Sequence, residues 1–119
     1  MQNGTVNILG TEYRITYKPD AEVCAAMGVP VGECGGYCSH YAKEIVIAAL
    51  GQCNGSEDEN EALRRENMRH ELIHAFLNES GLGYNAAGTD CWPKNEEMVD
   101  WFAIQSPKIF KVFSSLGLL

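Results

Sequence analysis

Two imidazoles one helical turn apart, His70 and His74, flank a glutamate in the run His70-Glu71-Leu72-Ile73-His74. On an α-helix, residues four apart lie about 40° apart around the axis, so both rings face the same way. Neutral imidazoles in that relation can share one Zn²⁺, with the intervening glutamate beside the position left for water. His70 and His74 are therefore candidate metal ligands, and Glu71 is a candidate catalytic base. The same spacing would also serve a core helix with two half-buried histidines, one satisfied by Glu71.

The surrounding residues favour a helix that presents this face. Ser56-Glu57-Asp58-Glu59 fits the S-x-x-E capping box and predicts a helix starting near Glu57. No proline or glycine follows until Gly81, a good residue just past a helix end. Ala62, Met68, Leu72, Ile73, Phe76 and Leu77 form one broad apolar arc with His70 and His74 at its rim, where a cleft-lining site belongs.

Catalytic zinc takes three protein ligands and one water. The extended H-E-x-x-H-x-x-G-x-x-H pattern is absent, because Leu77 and Ser80 stand where glycine and histidine would be. A carboxylate from Asn95-Glu96-Glu97-Met98-Val99-Asp100-Trp101 is the alternative. Pro93 suits the first turn of a second helix, with Asp90 or Cys91 just before it. Glu96 and Asp100 share a face of that helix. Glu96 is the expected third ligand, Glu97 the fallback, and Asp100 the acceptor that fixes a ligand histidine's tautomer. First-turn acids also simply favour a helix N-terminus.

These residues together resemble the gluzincin class of zinc metallopeptidases. The runs Arg69-His70-Glu71-Leu72-Ile73-His74-Ala75-Phe76-Leu77 and Asn95-Glu96-Glu97-Met98-Val99-Asp100-Trp101 look like small metallopeptidase-like proteins of phages and bacterial prophages. The resemblance covers residues 60–112 well and the N-terminal half in outline. It implies a zincin-like active-site helix, one Zn²⁺, a peptide or protein substrate, and a sheet edge that holds the substrate as an extra strand. Residues 38–50 would supply that edge, unless the strand there is central and fully paired. Larger relatives use a tyrosine or histidine to stabilise the oxyanion, and His40, Tyr41 and Tyr84 are the candidates here.

For the frame, residues 6–9 and 13–17 read as a β-hairpin joined across Gly10-Thr11. Residues 21–27 suggest a short helix closed by Gly28, and residues 29–37 mostly loop with a turn at Gly35-Gly36. Residues 44–50 are the best strand of the chain. Ser106-Pro107 predicts the restart of a final helix. The expected class is α+β: a small three-stranded antiparallel sheet packed on the active-site helix, a glutamate-bearing second helix and a C-terminal helix.

At 119 residues and 45% hydrophobic content, residues 1–119 read as one domain. No signal peptide or membrane-length apolar run is evident, so a soluble, cytoplasmic protein is expected, in the host cytoplasm if phage-encoded. A net charge of −7 argues against nucleic acid as a partner. Five cysteines, Cys24, Cys34, Cys38, Cys53 and Cys91, read as reduced thiols. Cys34-x-x-x-Cys38-x-His40 invites a second metal site, and Cys91 could mask the first. The sequence leaves the oligomeric state open. A rival to the peptidase is a non-catalytic, zinc-stabilised structural or regulatory module.

Overall fold

The computed structural model describes residues 3–50, 55–83 and 91–119. It is α+β, with four strands and three α-helices. Strands β1 (Gly4–Ile8) and β2 (Thr11–Lys18) form the expected hairpin, but it turns at Leu9-Gly10 rather than across Gly10-Thr11, and Thr11 is already in β2. Leu9 and Gly10 both take positive φ at its tip, the backbone of a type I′ turn, and Asn7 Oδ1 accepts from Gly10 N. Helix α1 (Asp20–Met27) follows, and Gly28 closes it in the left-handed conformation.

The sheet departs from expectation in two ways. It has four strands in the order β1-β2-β4-β3 and it is mixed, because β4 (Glu44–Ala48) runs parallel to β2. Strand β3 (Gly36–Ser39) arises from the segment read as loop and turn, and pairs antiparallel with β4. A four-residue strand entered through two glycines leaves no periodicity to read. Glycine is nonetheless required at position 36, where a Cβ would sit 2.5 Å from the Val46 carbonyl oxygen. Within residues 38–50, β4 is therefore central and paired on both sides, while Cys38 and Ser39 belong to the edge.

Helix α2 (Glu57–Glu79) begins at Ser56 with both capping-box hydrogen bonds present. It packs on one sheet face, where Ala75 joins Ile8, Tyr13, Ile45 and Ile47, flanked by Met68 and Leu72. The opposite face packs Val46 and Ala48 against Val23 of α1 and Leu50. The apolar arc expected on α2 is only partly the buried one. Ala62 is exposed and Phe76 is 43% exposed, whereas Arg64, Glu71 and His74 are buried. Small Ala75 allows close approach to the sheet, and the buried polar groups have partners within the fold.

Pro93 lies in a separate 3-10 turn, η1 (Trp92–Lys94), rather than in the first turn of the second helix. Helix α3 (Glu96–Ser115) starts after it, capped by the Asn95 side chain, which accepts from Met98 N at 2.9 Å. Pro107 does not restart a helix. It sits inside α3, which continues unbroken because the Ala103 carbonyl, deprived of its helical N–H, accepts from Arg69 Nε of α2 at 2.6 Å. The expected second and C-terminal helices are thus one. Among the described residues, no helix is long and apolar enough to cross a membrane.

Candidate metal centre

The second turn from the C-terminal end of α2 faces the first turn of α3. His70 Nε2 lies 3.0 Å from Glu96 Oε2, His74 Nε2 lies 3.1 Å from Glu96 Oε1, and the two Nε2 atoms are 3.1 Å apart. Both Glu96 and Glu97 are exposed, and Glu96 is the one whose carboxylate lies against the imidazoles. Each ring is held from behind. Asp100 Oδ1 lies 2.6 Å from His70 Nδ1, and the Pro93 carbonyl oxygen lies 2.6 Å from His74 Nδ1.

Those outer partners decide the proton positions. A carbonyl oxygen only accepts, so His74 Nδ1 must donate to Pro93, and its Nε2 in the neutral ring carries a lone pair. Asp100 sets His70 in the same tautomer. With both rings neutral, two lone pairs and a carboxylate converge, an arrangement that a shared cation or a proton on one Nε2 relieves. A tetrahedral zinc ion holds its N and O ligands roughly 3.3 Å apart, close to the three observed separations. The donor set fits one such ion.

Glu71 is placed for a different task. Its Oε1 is 3.9 Å from His70 Nε2, outside the triangle but beside it, and the side chain is buried. Burial pushes its carboxyl up to about 7. The neighbouring His70 opposes that shift, and the charges of Glu96 and Asp100 reinforce it.

The centre opens into a cleft of about 1090 Å³. One wall is the α2 face carrying Asn67, His70, Glu71, His74 and Asn78; a second is Pro93, Lys94, Glu96 and Asp100; the third is the β3 edge from Gly35 through Ser39. His40 and Tyr41 also line it. His40 Nδ1 lies 3.4 Å from the Tyr13 hydroxyl and 3.8 Å from Glu79 Oε1, and Tyr41, 95% exposed, meets His40 edge-on. Tyr84, Cys53 and Asp90 lie outside the described residues.

Among the described residues, the cysteines build no second centre. Among those residues, the potential ligands drawn together are His70, Glu71 and His74, with Glu96 closer to both rings than Glu71 is to His70, and without Cys24, Cys34, Cys38 or His40. Cys34 donates its thiol to the Gly36 carbonyl, and burial pushes the Cys38 thiol up to about 12, which disfavours a ligating thiolate. Cys91 caps η1 and is not among the residues lining the cleft.

The sequence did not point to Pro93 as the orienting partner of His74, nor to Arg69 as the residue that fixes α3 along α2. The Trp92-Pro93-Lys94 turn was the available signal for the first. No protein-family model, curated protein or solved structure matches this chain.

Proposed function

We propose that this chain is a zinc-dependent peptidase of narrow specificity or latent activity, and that His70, His74 and Glu96 hold the ion. The convergence of two imidazole lone pairs and a carboxylate, each ring oriented from behind, carries this reading. A bound zinc ion supplies a Lewis acid for the scissile carbonyl and lowers the pKa of a coordinated water. Glu71 accepts the proton of the attacking water at its carboxylate and delivers it to the leaving amine. Asp100 and the Pro93 carbonyl keep the two rings aimed throughout. His40 and Tyr41, which line the cleft, are the candidates for donating to a developing oxyanion.

The β3 edge offers the substrate a backbone partner. Ala48 N donates to Gly35 O, so positions 35, 37 and 39 are the ones bonded to β4. The Gly36 N–H and the N–H and C=O of Cys38 consequently point to the open edge, where an extended peptide adds as a further strand, while the Gly36 carbonyl is already taken by the Cys34 thiol.

A rigid centre bordering a large open cleft, with a buried carboxyl beside it, favours this reading over a closed, purely structural zinc module. The test is Glu71→Gln. The variant should keep its zinc and lose at least about 100-fold in turnover of a cleavable peptide. It should still bind that peptide, and backbone N-methylation at alternate positions should weaken the binding. Undiminished turnover in Glu71→Gln would remove Glu71 from the chemistry.

A further inference from the structure

The metal centre takes up only the middle of the α2 face that borders the cleft. Asn67, Glu71, His74 and Asn78 follow one another at steps of four, three and four, which keeps them within about 60° around the helix axis. All four line the cleft. Glu71 and His74 are buried, whereas Asn67 and Asn78, at the two ends of the stripe, are half-buried. Among the described residues, neither asparagine side chain has a hydrogen-bond partner, and solvent reaches its polar atoms. What each amide meets instead is a glycine. A Cβ on Gly35 would lie 2.4 Å from Asn67 Nδ2, and one on Gly83 would lie 2.7 Å from Asn78 Oδ1.

The stripe runs beside the β3 edge. Gly35, at the start of that edge, lies on Asn67, and His40, just past its end, lies 3.8 Å from Glu79, so strand and helix point the same way. A peptide laid on the edge therefore passes both asparagines. They are 11 positions apart, about 16 Å along the axis, a span that an extended chain covers in about five residues. We infer, on the peptidase reading of the same cleft, that Asn67 and Asn78 clasp the main chain of the substrate on either side of the metal centre. A primary amide offers one acceptor oxygen and N–H donors in a plane, the complement of a single peptide group. The substrate class is an extended segment of about six residues or more, selected at its ends by length and extension rather than by side chains. A chain of four residues reaches one clasp at most.

Two mixtures of randomised peptides, eight and four residues long, acetylated and amidated at their ends, test this on the full chain, with cleavage read from released amines. On the octapeptides, Asn67→Ala and Asn78→Ala should each lower kcat/KM about fivefold, the effect of one or two hydrogen bonds, and the double variant about twentyfold. On the tetrapeptides the double variant should lose less than about threefold. Gly83→Ala, which pushes the Asn78 amide aside without removing it, should reproduce the loss seen in Asn78→Ala. A second readout needs no turnover: in Glu71→Gln, the side-chain NH₂ resonances of Asn67 and Asn78 should shift together as the octapeptides are added. Equal losses on both lengths, or resonances that stay in place while the unaltered chain cleaves octapeptides, would overturn the inference and leave the peptidase reading standing. Resonances that shift although the unaltered chain cleaves nothing would support the clasps and overturn the peptidase reading. Neither shift nor cleavage would overturn both.

Discussion

Arg69 donates its Nε–H at 2.6 Å to the carbonyl of Ala103, the backbone acceptor that Pro107 leaves without a helical partner. The bond fixes the register of α3 along α2 one residue before His70. That register sets Glu96 between the two imidazoles and Asp100 behind the first.

Arg69→Ala should therefore cost more than a surface arginine. Ala103 is buried, so its carbonyl loses its partner, a penalty of about 1–3 kcal/mol. Pro107→Ala restores the helical N–H and should suppress most of that loss. A double-mutant cycle by urea denaturation checks it, with coupling of at least about 1 kcal/mol expected. Strictly additive effects would mean that Arg69 acts elsewhere.

The oxygen behind His70 should govern metal affinity more than catalysis by itself. Asp100→Ala removes the acceptor at Nδ1 and frees the ring to rotate or change tautomer. Zinc affinity, read by competition with a chromophoric chelator, should fall about 10–100-fold. An unchanged affinity would show that Asp100 is a surface acid which merely lies close.

The C-terminal end of α2 carries a further ionic anchor. Lys43, Tyr13 and Thr11 all donate to Glu79, and these bonds, with the Lys43 charge, hold its carboxyl down at about 2 while burial opposes them. A depressed folded-state pKa contributes stability that is fully present above about 4.5 and disappears as pH falls toward 2. Glu79→Gln should accordingly be less stable than the unaltered chain at neutral pH. The two unfolding curves should converge between pH 4.5 and 2. A gap that stays constant over that window would contradict the ionic role.

What could be read from residues was local. The capping box, the hairpin, Gly28 and the pairing of Glu96 with Asp100 depend on neighbours within a few positions. Each of these patterns reappears in the structure. The parallel β2–β4 contact and the short strand β3 depend on how distant segments meet, and glycines 35 and 36 disguise the strand as a turn. Pro107 read as a boundary because its missing N–H ordinarily interrupts a helix; the compensating donor, Arg69, lies 38 positions earlier in the chain. The part Pro93 plays was misread for a related reason, since what it supplies to His74 is a backbone carbonyl, which no side-chain pattern announces.

Zinc content of the native protein, measured with Glu96→Gln and Glu97→Gln beside it, tests the central claim most directly. One ion per chain should be present in the unaltered protein and in Glu97→Gln, whereas Glu96→Gln should bind it at least about tenfold more weakly. A metal-free native protein that also takes up no added zinc, or equal retention by both variants, would contradict the account.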